Sequence, residues 1–107
     1  MAKNTAIEAV EFLKRCLNEK GLKVSKIILF GSQARGKATL ESDIDVVIIS
    51  EDFRDRDVFE RAALTKDAEI RTIKRFMIPL DIMTLTPEEN ETSLIALYAK
   101  EGEVIYG

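Results

Sequence analysis

Residues 43–50 read DIDVVIIS, an apolar and mostly β-branched run that opens with two aspartates. Such a run is typical of a buried strand, because branched side chains pack well on a pleated sheet. Asp43 and Asp45 lie two positions apart, so both should point to one face of the strand while Ile44 points to the other. Neighbouring carboxylates repel each other, and a divalent cation would offset that repulsion. The alternative is a solvated strand end, where aspartate is common in turns.

The elements before this strand are predicted from hydrophobic spacing and from glycine. Apolar residues at helical spacing predict a helix over Asn4–Lys20, with Cys16 packed on it, that stops at Gly21. The apolar run Lys26–Phe30 predicts a second buried strand. The small and basic residues Gly31–Ala38 are typical of a turn that opens a short helix.

The elements after it alternate between helix and strand. Glu51–Asp57 is a charged connection in which Asp55 or Asp57 can cap a helix. A helix then runs from Val58 to about Ile73, with Val58, Ala62, Ile70 and Ile73 among its expected buried positions. A third strand covers Met77–Leu85, and Pro79 indicates that it starts late or lies at a sheet edge. The last two elements are a helix capped by Thr86 that starts at Pro87 and runs to about Lys100 before Gly102, and a strand over Glu103–Tyr106.

Composition narrows the class of protein and the kind of metal. The 107 residues suit one domain spanning 1–107, and a net charge of −3 lacks the footprint of a general nucleic-acid binder. With no histidine and one cysteine, a structural zinc site has no ligand set, so any metal should be a hard cation such as Mg²⁺ or Mn²⁺. The chain shows no signal peptide and no membrane span, which makes the cytoplasm the expected location.

A third aspartate strengthens the metal hypothesis. Asp81 lies in the apolar run PLDIM at residues 79–83, where a carboxylate is out of place. If this strand neighbours the strand of Asp43 and Asp45, three carboxylates share one face and could hold the two magnesium ions of a phosphoryl-transfer site. The alternative is an exposed aspartate on an edge strand.

A phosphate-binding turn is predicted at the end of the second strand. Gly31-Ser32 follows an apolar strand and precedes a basic segment, so it can offer backbone N–H groups and a hydroxyl to phosphate oxygens. Arg35 lies about one helical turn further on, and its planar donor fork suits the same phosphates. Lys37 is a weaker candidate that we expect to be solvated.

The order of these motifs along the chain is more specific than any one of them: a strand, Gly-Ser, a basic segment, Ser-Asp-x-Asp on a second strand, and an aspartate on a later strand. The segments GSQARG at 31–36 and SDIDVV at 42–47 closely resemble the signature of the polymerase β-like nucleotidyltransferase superfamily, and within it the minimal nucleotidyltransferases of prokaryotes. The resemblance implies an α/β (α+β) fold with a small mixed β-sheet flanked by helices. It also implies the roles of single residues: Gly31 and Ser32 bind the triphosphate, Asp43 and Asp45 bind magnesium, and Asp81 completes the metal site and helps deprotonate the acceptor, which makes all three aspartates catalytic. Arg35 and Ser42 are the further nucleotide contacts that we predict.

The resemblance leaves three hypotheses for function. Its relatives are commonly paired with a helical toxin of the HEPN class, and the first hypothesis is an antitoxin that moves AMP from ATP to a tyrosine of that partner. The second is a binding antitoxin that masks its partner by contact alone. The third is nucleotidyl transfer to a small molecule such as an aminoglycoside. The charged run Glu51–Glu60 is a solvated connection or a docking surface, and an exposed edge strand would favour self-association.

Overall fold

The computed structural model describes residues 3–30, 43–92 and 103–106. Its elements are the helices α1 (Lys3–Glu19), α2 (Val58–Phe76) and α3 (Pro87–Thr92), the strands β1 (Lys26–Phe30), β2 (Ile44–Ile49), β3 (Leu80–Leu85) and β4 (Glu103–Tyr106), and a short 3-10 helix at Glu51–Phe53. The predicted turn and helix at 31–38, and the predicted continuation of the last helix to Lys100 and Gly102, lie outside the described residues.

The described strands form one mixed sheet in the order β3-β2-β1-β4. β1 pairs antiparallel with β2 and β4, whereas β2 pairs parallel with β3. A parallel pair needs a long crossover, and α2 supplies it. The small mixed sheet flanked by helices is therefore confirmed. Pro79 directly precedes β3, which begins late and forms one edge of the described sheet, as this proline predicts.

α1 packs on one face of the sheet because its apolar residues recur every three or four positions. Its buried side chains are those of Ala6, Ala9, Val10, Leu13, Cys16 and Leu17. They pack in one cluster, the helix-side core, with the strand side chains Ile27, Leu29, Ile44, Val46, Ile48 and Leu80. At the helix end Gly21 has φ +85°, and the Leu22 N–H donates to the Leu17 carbonyl at 3.0 Å. The predicted helix, its stop and the packed cysteine are confirmed.

α2 buries a different face from the predicted one. Val58 is 68% exposed, Ile70 is 40% exposed, and Ala62 is exposed as well. Of the four predicted positions, Ile73 alone packs against the helix-side core. The buried positions are Thr65, Ala68 and Thr72.

The size of the side chains explains why α2 buries this face and not the predicted one. A stripe of small side chains lets the helix come close to the rest of the core, and larger apolar residues beside the stripe are left near its rim. The hydroxyl of Thr72 donates to the Ala68 carbonyl at 2.7 Å, and that of Thr65 lies 3.3 Å from the Ala62 carbonyl, so neither polar group is buried without a partner.

Both ends of α2 have identifiable caps. Asp57 is the N-cap, and its side chain accepts from the Glu60 N–H at 2.8 Å while Glu60 accepts from the Asp57 N–H at 3.0 Å. Of the two caps offered by the sequence, Asp57 is the one used. The helix extends beyond its predicted end to Phe76, where Met77 adopts φ 56° and donates its N–H to the Ile73 carbonyl at 2.7 Å.

α3 begins as predicted, with Pro87 in the first position after a Thr86 cap. The Thr86 hydroxyl accepts from the Glu89 N–H at 3.2 Å, and the Glu89 carboxylate accepts from the Thr86 N–H at 2.8 Å. Arg61 of α2 donates to this carboxylate at 2.7 Å and to the Thr84 carbonyl at 3.2 Å, so α2 is tied to the junction of β3 and α3. No helix among the described ranges is both long and apolar enough to cross a membrane.

Candidate active site

The parallel pairing of β2 and β3 places Asp45 directly opposite Asp81. Their neighbours Ile44 and Leu80 are buried in the helix-side core, so the two aspartates point to the other face of the sheet. Adjacent strands lie about 4.8 Å apart, and side chains opposite each other on one face are direct neighbours. The condition set by the sequence, that the strand of Asp81 should neighbour that of Asp45, is met.

The three carboxylates differ in their exposure. Asp45 is half-buried, whereas Asp81 and Asp43, which directly precedes β2, are exposed. Burial raises the pKa of the Asp45 carboxyl, and the negative charges of Asp81 and then Asp43 raise this pKa further. All three influences make the ionised form of Asp45 less favourable. The structure therefore brings together a half-buried acid and two acids whose charges act on it.

The chemistry of this group fits a hard divalent cation. Carboxylate oxygens are the ligands that Mg²⁺ prefers, and a cation would offset both the burial and the repulsion that raise the Asp45 pKa. Within the described part of the chain, no three such side chains lie close enough together to hold one ion. The assignment of Asp43, Asp45 and Asp81 as metal ligands and catalytic groups stays a prediction.

The predicted nucleotide-binding residues lie outside the described ranges: these are Gly31, Ser32, Arg35 and Ser42. Phe30, which precedes Gly31 in the sequence, pairs with Asp45 in the register of β1 and β2. The role of these four residues in binding a triphosphate stays a prediction.

A groove beside Asp81 is a feature that the sequence does not predict. The groove lies between α2 and β3, has a volume of about 190 Å³, and is lined by Val58, Ala62, Thr65, Glu69, Leu80, Asp81, Ile82 and Thr84. Val58 and Ala62 line this groove, although their apolar character predicts core positions. The small residues Thr65, Ala68 and Thr72, spaced i, i+3 and i+7, carried the signal that could have corrected this.

The family model of the nucleotidyltransferase domain matches residues 10–104, which contain all of β1, β2, α2 and β3. The chain belongs to the nucleotidyltransferase domain family. The opposed aspartates of β2 and β3 are thus a feature of a nucleotidyltransferase domain.

Two proteins of Methanocaldococcus jannaschii are relatives of this nucleotidyltransferase domain. MJ1305, whose name gives protein adenylyltransferase as its candidate activity, is 33% identical over 79 residues, which are 74% of this chain and 53% of that protein. MJ0604, with the same candidate activity in its name, is 46% identical over 41 residues, which are 38% of this chain and 41% of that protein. The chain spans about half the length of the curated relatives it matches.

Solved structures share the fold of this nucleotidyltransferase domain. A candidate nucleotidyltransferase of Sulfolobus solfataricus is 23% identical with a TM-score of 0.54, over 94% of this chain and 85% of that chain. A toxin–antitoxin complex with AMP-PNP contains a chain that is 18% identical with a TM-score of 0.63, over 100% of this chain and 74% of that chain. At such identities the likeness concerns the fold.

Proposed function

We propose that this chain is a magnesium-dependent nucleotidyltransferase that moves AMP from ATP to a hydroxyl group of a partner protein. The observation that carries the proposal is the opposition of Asp45 and Asp81 on adjacent strands, on the sheet face turned away from the helix-side core. Two acids so placed, with the charge of Asp43 acting on one of them, make a site that a bound cation or a proton would stabilise.

The transfer replaces a phosphoanhydride bond of the α-phosphorus with a phosphoester bond. The acceptor oxygen attacks the α-phosphorus of ATP, a new P–O bond forms, and the bond to the oxygen that bridges the α- and β-phosphates breaks. Pyrophosphate leaves with that bridging oxygen. The acceptor proton passes to the Asp81 carboxylate, which is exposed and can hand it on to water.

The carboxylates hold the reactants in place. Asp43, Asp45 and Asp81 would hold Mg²⁺, which supplies positive charge to the phosphate oxygens as negative charge builds up in transfer. Because Asp45 is half-buried, less water screens its carboxylate, and its charge interactions are stronger than those of a fully solvated carboxylate. Gly31 and Ser32, with Arg35 and Ser42, are the proposed contacts to the triphosphate.

The proposed acceptor is a tyrosine on a helical HEPN-class toxin, with this chain as its antitoxin in the cytoplasm. Support comes from the names of two relatives, which give protein adenylyltransferase as candidate activity. Further support comes from the fold likeness to a toxin–antitoxin complex that was crystallised with AMP-PNP. ATP is the proposed nucleotide for the same reason.

The test is a mass measurement on any HEPN-class protein whose gene lies beside that of this chain. After incubation with the chain, ATP and Mg²⁺, we expect that protein to gain the mass of AMP at a tyrosine. Asp45→Asn should abolish the gain, whereas Asp67→Asn, which changes an exposed carboxylate of α2 near Lys20 and Arg71, should leave it intact. A tight complex without any mass gain would overturn the proposal and favour an antitoxin that masks its partner. Undiminished transfer by Asp45→Asn would overturn the site.

A further inference from the structure

Along β3 the backbone N–H and C=O groups of successive residues point alternately to β2 and to the outer edge of the sheet. The carbonyls of Pro79 and Leu85 accept hydrogen bonds from the N–H groups of Ile44, at 2.9 Å, and Ser50, at 3.0 Å. In a parallel strand the N–H and C=O of one residue point to the same side, and successive residues alternate. The residues of β3 in phase with Pro79 and Leu85 therefore direct their polar groups to β2.

The residues that alternate with those facing β2 direct their backbone N–H and C=O groups to the outer edge of the sheet: they are Leu80, Ile82 and Thr84. β3 is an edge strand of the described sheet. Arg61 donates to the Thr84 carbonyl at 3.2 Å and so occupies one of these acceptors. The remaining groups form a short row of outward donors and acceptors, which is a template for pairing with an added strand.

The groove between α2 and β3 runs along this row. On the side of α2 its lining includes Val58, 68% exposed, and the exposed Ala62, which together form an apolar wall. Among the lining residues the charged side chain on the groove's side is that of Glu69, which is acidic; Asp81 also lines the groove, but its carboxylate points to the other face of the sheet. A segment that fits this groove is therefore extended, carries apolar side chains, and is flanked by basic residues.

We propose that the hydroxyl-bearing acceptor binds as an extended, basic-flanked peptide segment, in a non-helical part of the partner protein, that pairs with the outer edge of β3. This inference rests on the proposed function, because it assigns the acceptor of that same site. In an added strand, one residue lies opposite Asp81 on the same sheet face, with its Cβ about 5 Å from that of Asp81. A tyrosine there brings its hydroxyl to the carboxylate.

The neighbours of that tyrosine point to the opposite face of the sheet, where the groove lies. They contact Val58 and Ala62, so β-branched apolar residues suit these two positions. Backbone pairing supplies affinity in this binding mode, and the alternate side chains supply selectivity. The acceptor class is thus a β-strand-forming segment of the pattern apolar–tyrosine–apolar with lysine or arginine on either side.

Amide hydrogen exchange of the isotope-labelled chain tests the binding mode without requiring any transfer. The probe is the peptide acetyl-Lys-Thr-Val-Tyr-Val-Thr-Lys-amide at about 1 mM, with Mg²⁺ and a non-hydrolysable ATP analogue; a weak complex is populated at that concentration. We expect the outward N–H groups of Leu80, Ile82 and Thr84 to exchange about tenfold more slowly, because each gains a hydrogen bond. The N–H groups of Asp81 and Met83 already face β2 and should change less. Equal protection along β3, or none, would overturn the proposal.

Kinetics with a matched pair of variants tests the groove. Ala62 and Ala63 are adjacent and exposed on α2, but only Ala62 lines the groove. Ala62→Arg should raise the KM for the peptide about tenfold through lost space and repulsion of the lysines, and Ala63→Arg should not. Equal effects of the two variants would overturn the proposal. Failure of AMP transfer to every acceptor by the wild-type chain would refute the proposed function instead, and the exchange experiment would still decide whether the peptide adds to β3.

Discussion

Replacing Asp45 by asparagine should make the metal-free protein more stable. The register places Asp45 opposite Asp81 on one sheet face, which sets their carboxylates roughly 6 Å apart. Two charges at that distance repel by roughly 0.7 kcal/mol at the dielectric constant of water and about 3 kcal/mol at the value used near protein surfaces. Because Asp81 is exposed and Asp45 only half-buried, solvent screening favours the lower end, about 1 kcal/mol. A domain of this size should then melt about 4 °C higher.

The sign of this effect depends on pH. The pKa of folded Asp45 is raised by burial and by its two acidic neighbours, so the folded protein holds the proton more tightly than the unfolded chain. Wild type therefore loses stability relative to Asp45→Asn as the pH rises through the pKa of Asp45. Below about 3.9, the ordinary value for aspartate, the two proteins should melt alike. With Mg²⁺ the order should reverse at pH 7 if the proposed site is correct, because an ion held by Asp45 would stabilise the folded wild type.

The assay is thermal unfolding in EDTA at pH 3 and pH 7, followed by a magnesium titration. Asp67→Asn is the control, because this carboxylate lies 3.8 Å from Lys20 and 4.0 Å from Arg71, so its removal should bring no gain. A double-variant cycle with Asp81→Asn isolates the repulsion between the two acids. The reasoning is refuted if Asp45→Asn melts at or below the wild-type temperature in EDTA at pH 7, or if the gain is the same at pH 3.

Three further predictions concern the scaffold. Arg61→Met removes the 2.7 Å bond to Glu89 and should lower the free energy of unfolding in urea by about 1–2 kcal/mol at pH 7. Because the Arg61 side chain holds the Glu89 pKa below its usual value, this difference should shrink as the pH falls below about 4.3, the ordinary pKa of glutamate. Cys16 is buried and burial raises its pKa, so iodoacetamide should leave the native protein unmodified at pH 8 and modify it fully in urea, as read by mass spectrometry. Gly21→Ala should lower the free energy of unfolding in urea by about 1 kcal/mol, because Gly21 has φ +85°; an added Cβ would meet no other atom, so the cost comes from the backbone conformation. An unchanged free energy of unfolding would contradict this.

The sequence predicts the elements around the site well because their signals are local. The β-branched run of β2, the glycine after α1 and the Thr86-Pro87 start of α3 each act through the residues beside them. The sequence alone does not show that the strands of Asp45 and Asp81 are neighbours, because the order of strands in the sheet depends on how α2 crosses it.

The buried face of α2 could not be predicted from apolar residues alone. Threonine reads as polar in a sequence, yet Thr65 and Thr72 are buried because their hydroxyls bond to carbonyls of the same helix. The helix end was also missed, since Met77 takes a left-handed conformation that a sequence normally signals with glycine. The groove beside Asp81 follows from that rotation and has no local signal of its own.

The crossover through α2 also governs when the proposed site can form during folding. β1 and β2 are antiparallel neighbours, whereas β3 reaches β2 only after the whole of α2 has been made and docked. Contacts between residues distant in sequence require loop closure and form slowly. During synthesis, a ribosome-bound chain that ends within α2 carries Asp43 and Asp45 but lacks Asp81. Metal and nucleotide binding would therefore begin only in a fully folded molecule, and newly made fragments would be inert.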